Sequence, residues 1–217
     1  MRLWMVGSVA LLLYFILIYC RHLLKIKKQT PVIASESLTL LDSCKQTLGI
    51  KRKVQLVTGD GSPMLAGFFA PKIVLPSGYS PKEQRDILLH ELCHLKNGDI
   101  MILWLALVIL CFNWFNPVIW YSFFVLRQDI EVYCDSRVLA YSDNKKEYAG
   151  LLLKTALRKN HFVAGTTSLQ NGKKEVARRI KHMAYFKRPR LFQSAVITVI
   201  ALGISAVCLT NASADYS

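Results

Sequence analysis

The sequence predicts a mainly α-helical integral membrane protein. Two transmembrane helices flank a cytoplasmic α+β domain with a small sheet and a membrane-dipping helical hairpin. Three observations predict it. Uncharged apolar runs occupy residues 3–20, 101–126 and 191–210 of the 217-residue chain. Of 28 Lys and Arg, 27 lie between residues 21 and 190, as do 13 of the 14 Asp and Glu, so this segment carries the whole net charge of +14. Short β-type alternation between 53 and 76 stands among stretches of helical periodicity. The positive-inside rule then assigns 21–190 to the cytoplasmic side of a bacterial-type plasma membrane. Such basicity would also suit nucleic acid, but membrane topology and anionic lipid headgroups account for it, and no direct nucleic-acid partner is expected.

Residues 1–20 form the first transmembrane anchor. At ~1.5 Å per residue the run 3–20 reaches ~27 Å, enough to cross the hydrocarbon core. No small-x-small cleavage site follows it, which predicts an uncleaved span with its N-terminus outside. The basic segment 21–30 comes next, then an amphipathic helix over 36–48. Lys53–Thr58, Met64–Ala70 and Lys72-Ile73-Val74-Leu75 read as strands, with the cluster Gly59-Asp60-Gly61-Ser62-Pro63 as a turn. Pro76 suggests that the 72–75 strand is a sheet edge, which an extended peptide substrate could pair with through Lys72, Ile73, Val74 and Leu75.

Ser80-Pro81-Lys82-Glu83 reads as a capping box with proline at the first helical position. The helix it opens carries His90-Glu91-Leu92-Cys93-His94. Histidines four apart stand one turn above each other on one face, where two imidazoles can hold one Zn²⁺. Glu91 between them can serve as general base on a water. Asn97-Gly98-Asp99 ends or kinks the helix, and Asp99 could support the site, although a helix-end role is the expectation.

Residues 101–126 are too short for two full spans, and a single span would part the histidines from everything downstream. A hairpin turning at Asn113-Trp114-Phe115-Asn116-Pro117 resolves this. Its returning helix brings Glu131 and Asp135 at i, i+4 spacing. Glu131 would complete a His₂Glu site, and Asp135 would accept the outer imidazole N–H of a ligating histidine. Tyr133, Arg137 and His161 are the candidates for stabilising an oxyanion. Six cysteines include no CxxC pair; Cys93 and Cys134 flank the proposed ligands, where a sulfur ligand is conceivable, but they are expected to pack the two motif helices together. A helix follows from Ser142-Asp143, then an exposed loop over 160–173, a basic helix over 174–184, a last span over 191–210 and a short outside tail, 211–217.

Taken together, Ser62-Pro63, Lys72–Pro76, the 90–94 motif, Trp114-Phe115-Asn116-Pro117 and Glu131-Val132-Tyr133-Cys134-Asp135 resemble the BlaR/MecR-type signal-transducer metallopeptidases, which are membrane gluzincins. The resemblance covers roughly 50–205. It implies a gluzincin-like zinc metallopeptidase domain, with one Zn²⁺ per chain on His90, His94 and Glu131, Glu91 as catalytic base and Asp135 behind a ligand. It further implies an antirepressor-type regulatory protease that cleaves itself, a cytoplasmic transcriptional repressor of antibiotic-resistance genes, or both. Self-cleavage is expected in the 160–173 loop. Well-studied members of that family carry further spans before the first one here and a large extracellular penicillin-binding domain after the last. Seven residues cannot hold that domain, so either a partner such as a separate sensor protein supplies the input or the chain is a minimal or truncated member; a homodimer is the other partner expected. Ser142-Asp143-Asn144-Lys145 satisfies two β-lactam-site patterns, but they overlap and no KTG follows, so it is not read as one. The alternative readings are an HtpX-like quality-control membrane protease and a non-enzymatic membrane adaptor.

Overall fold

The computed structural model describes residues 2–32, 34–59, 61–142, 144–157 and 173–185. The expected last span, the outside tail and the 160–173 loop lie outside these residues, save Lys173, which opens a helix.

Helix α1 (Arg2–Lys27) runs through the first apolar stretch and on into the basic segment. It is long and apolar enough to cross a membrane, and most of its side chains face outward. Helix α2 (Ser35–Leu48) buries Leu41, Cys44 and Leu48 and stops at Gly49, whose left-handed φ of 69° suits glycine.

Three short strands follow: β1 (Gln55–Thr58), β2 (Met64–Ala66) and β3 (Lys72–Leu75). Their order is β1-β3-β2, with β1 parallel and β2 antiparallel to β3. This corrects the expectation that Lys72, Ile73, Val74 and Leu75 form an edge. The strand is central, with neighbours on both sides, and cannot accept a substrate strand. Pro76 lies beyond the last ladder pair, Thr58↔Leu75, so its missing N–H is never called for. The continuous apolar run Ile73-Val74-Leu75 was the better signal, because a strand covered on both faces reads that way. One face (Leu56, Leu65, Ile73, Leu75) joins the main core with α2 and the motif helix. The other (Val57, Met64, Ala66, Val74) packs against Ile26 and Leu23 at the end of α1.

Helix α3 (Pro81–Asn97) begins at the capping box read from sequence. Ser80 N–H donates to Glu83 Oε2 at 2.7 Å and Glu83 N–H to Ser80 Oγ at 3.3 Å. Gly98, at φ 71°, ends it, and α4 (Asp99–Phe112) leaves at 58°. A turn at Asn113–Asn116 leads into α5 (Pro117–Leu139), where Asn116 Oδ1 accepts Val118 N–H at 2.9 Å. The expected hairpin is therefore α4, this turn and the first half of α5. It packs on α1 through Phe15, Leu107, Leu110, Cys111 and Phe123. Trp4 Nε1 donates to Phe112 O at 2.9 Å and Trp120 Nε1 to Trp114 O at 2.8 Å, so the turn's polar groups are partly answered by indoles. Helix α6 (Lys145–Ala156) is capped by Asn144 rather than opened at Ser142, and α7 (Lys173–Tyr185) follows.

Candidate metal centre

The centre is built where α3 and α5 cross, closed by α6 and α7. Helical spacing puts His90 and His94 on the face of α3 turned toward α5, with Nε2 atoms 3.1 Å apart. Glu131 reaches both: Oε2 lies 3.4 Å from His90 Nε2 and Oε1 lies 3.7 Å from His94 Nε2. Four ligands held tetrahedrally around Zn²⁺ at its usual bond lengths stand about 3.3 Å from one another. The three donor atoms fall around that spacing, so this donor set fits such an ion.

The outer imidazole nitrogens are also engaged, which turns each Nε2 toward the point shared with Glu131. His94 Nδ1 donates to Asp99 Oδ2 at 2.7 Å. Asp99 immediately follows Gly98, so the 58° bend there carries its carboxylate back to the histidine five residues earlier. His90 Nδ1 lies 3.4 Å from Asp135 Oδ1 and 3.2 Å from Tyr148 Oη, and Tyr148 donates to Asp135 Oδ1 at 2.8 Å. The sequence-read position of Asp135 is thus beside His90, while the partner of His94 is Asp99.

Arg179 of α7 is the residue that sequence reading missed. It is 5% exposed and grips Asp135 with Nε and Nη2 at 2.7 and 2.6 Å, and its Nη1 lies 3.1 Å from Glu131 Oε2. A signal was available. Arg179 stands with Val176 and Ile180 at i, i+3, i+4, so it occupies the apolar stripe of a basic helix. Tyr148 likewise shares a buried stripe with Leu151 and Leu152. Tyr133, by contrast, is exposed, because two residues along α5 turn it about 200° from Glu131. Arg137 stands in the same relation to Asp135, and His161 lies outside the described residues.

These contacts set the charges. Burial opposes ionisation of Glu131, but Arg179 and the hydrogen bond from His90 win and hold its carboxyl down to about 2. Burial likewise opposes Asp135, and Arg179 holds it well below the carboxylate range. Burial would lower His90, yet hydrogen bonds to Asp135 and Glu131 lift it to about 10. Glu91 is buried and burial pushes its carboxyl up, with His90 and His94 pulling the other way. A carboxylate moved toward neutrality is better matched to proton transfer than one left at its ordinary value. Cys93 and Cys134 do pack α3 against α5, their thiols in contact beside Asn97. Burial, with Cys93 beside it, keeps Cys134 a neutral thiol.

A family model described as BlaR1 peptidase M56 matches residues 1–183. The regulatory protein BlaR1 of Bacillus licheniformis is 30% identical over 213 residues, covering 92% of this chain and 35% of that protein. The methicillin resistance mecR1 protein of Staphylococcus aureus is 26% identical over 231 residues, covering 96% of this chain and 38% of that protein. The chain thus spans little more than a third of the length of the curated relatives it matches.

Proposed function

The chain belongs to the BlaR1 peptidase M56 family, and from that premise we propose that it is a membrane-embedded zinc metalloendopeptidase that hydrolyses peptide bonds at the cytoplasmic face of the plasma membrane. The observation that carries the proposal is the convergence of His90, His94 and Glu131 on one point, with Glu91 buried beside them. A bound Zn²⁺ would supply a Lewis acid for the scissile carbonyl and make a nearby water more acidic.

The chain's own groups do the rest. His90, His94 and Glu131 hold the ion. Asp99 and Asp135 keep each imidazole turned with Nε2 inward. Arg179 keeps Glu131 and Asp135 ionised and in place. Glu91 takes the proton of the attacking water and returns it to the leaving amine. The printed names of the relatives speak of regulation and of methicillin resistance. They support a regulatory, antirepressor-type role, in which the protease cleaves itself, a cytoplasmic transcriptional repressor, or both. The bilayer, such a repressor, a separate sensor protein and a second copy of the chain are the partners proposed.

Glu91→Gln is the test. It should retain metal and lose roughly 10²- to 10⁴-fold in hydrolysis of a peptide or of the chain itself. Undiminished cleavage by this variant would overturn the role given to Glu91. A cellular phenotype that survives the change would favour a binding protein over a peptidase.

A further inference from the structure

Between β2 and β3 the chain makes a short turn, Gly67-Phe68-Phe69-Ala70, that the metal centre does not use. Phe69 is 89% exposed, the most exposed aromatic side chain among the described residues, and Phe68 is 37% exposed. The turn is held rather than loose. Gly67 has φ 89°, and a Cβ there would meet Ala70 O at 2.6 Å, so glycine is required. Arg52 Nη2 donates to Phe68 O and, at 3.2 Å, to Phe69 O. Two aromatic rings are thus presented outward on a braced backbone. They pack on each other edge to face with centroids 4.8 Å apart.

The depth of the turn follows from its neighbours. Strand β2 runs alongside the end of α1. Met64 Sδ lies 3.2 Å from His22 Nε2, whereas the Gly67 backbone lies against Tyr19. Moving along the strand from 64 to 67 therefore moves along α1 from 22 back to 19, away from the basic end and into the uncharged run. Phe68 and Phe69 lie beyond that point. Phe68 also lines a cavity with Ile100 and Met101, where α4 enters its own apolar stretch. Met101, Ile102 and Leu105 are exposed on α4, so the turn continues an apolar belt formed by the helices. Lys51, Arg52 and Lys53 are exposed just before β1, at the end of the sheet where Gln55 N–H donates to Pro71 O. Aromatic rings bordered by exposed cations are the side-chain chemistry of a lipid headgroup boundary.

We infer that Gly67–Ala70 is a membrane-inserting turn: Phe69 enters the lipid interface, Phe68 closes the cavity beside His94 from below, and Lys51, Arg52 and Lys53 meet anionic headgroups. The inference rests on α1 lying in the bilayer and is independent of the peptidase reading. It gives the domain a second, non-helical attachment to the membrane, next to its metal centre. The competing occupant is a peptide substrate resting on the same two rings.

The test places a photoreactive benzoylphenylalanine at one position at a time in the full chain, reconstituted in phosphatidylethanolamine–phosphatidylglycerol vesicles. Adducts are read by mass spectrometry. Position 69 should give lipid adducts, in roughly tenfold excess over position 82 at the far end of α3, as insertion at the interface requires. Position 68 should give fewer than 69. Position 13, exposed on α1, is the reference for helix insertion. Lipid adducts at 13 but none at 69 would overturn the inference alone. None at either would overturn the placement of α1 and the inference with it. Adducts from 69 to an added peptide or to a second chain, in place of lipid, would assign the rings to a protein partner and also overturn it.

Discussion

In the first half of α5, Val118, Tyr121 and Phe124 are exposed, whereas in its second half Arg127, Glu131 and Asp135 are buried. One helix thus follows opposite rules along its length. The first half shows apolar side chains outward and meets α4 over Phe123, Leu107 and Leu110. Its outward face suits lipid, where water-facing exposure would be costly. The second half takes Glu131 and Asp135 inward, and Arg179 pairs with both, as buried charges require. The difference teaches where the chain's specificity lies. The exposed apolar positions of the first half ask only for an apolar side chain of any shape. Each buried charge asks for a particular partner at a particular atom.

Changes to the charged half should therefore cost most. Arg179→Met leaves Glu131 and Asp135 as neighbouring buried carboxylates with their cation removed. Breaking a buried pair in this way costs about 3–5 kcal/mol, readable as a fall in unfolding free energy of the detergent-solubilised protein. A loss below about 1 kcal/mol, the size of an exposed ion pair, would show that Arg179 does not hold the cluster together. Next comes Asp99→Asn. The His94 Nδ1–H keeps an acceptor but loses its anion, and metal affinity should drop roughly 10- to 100-fold, measured by competition with a chelator. Unchanged affinity would move the support of His94 elsewhere. The smallest effect belongs to the apolar half. Leu105 is 65% exposed on α4, and Leu105→Ala should stay within about 0.5 kcal/mol of the parent protein. A larger loss would mean that this face packs on protein, and the contrast between the two halves would fail.

What was legible in the sequence was local. The capping box at Ser80–Glu83, the i, i+4 histidines and the proline-capped start of α5 are each specified within a few residues, and each appears where its pattern lies. The turn between α4 and α5 was legible for a different reason, since Asn113–Pro117 puts turn and cap residues in the middle of an uncharged run. What could not be read depended on how elements meet. Asp99 looked like a helix-end residue because its reach to His94 exists only once Gly98 bends the chain by 58°. Arg179 was hidden among Arg178 and Lys181, and only its place on the apolar stripe set it apart. The order of the sheet was misread because Pro76 was weighed above the continuous apolar run of β3. Proline restricts the ladder only where an N–H is needed.

The central claim is that His90, His94 and Glu131 hold one metal ion between α3 and α5. It is tested most directly by the zinc content of the detergent-purified protein, measured beside His94→Ala and Glu131→Ala. The account predicts one zinc per chain in the parent and none in either variant. Zinc retained at full occupancy in Glu131→Ala would contradict it, and would send the third ligand to another residue of the cluster.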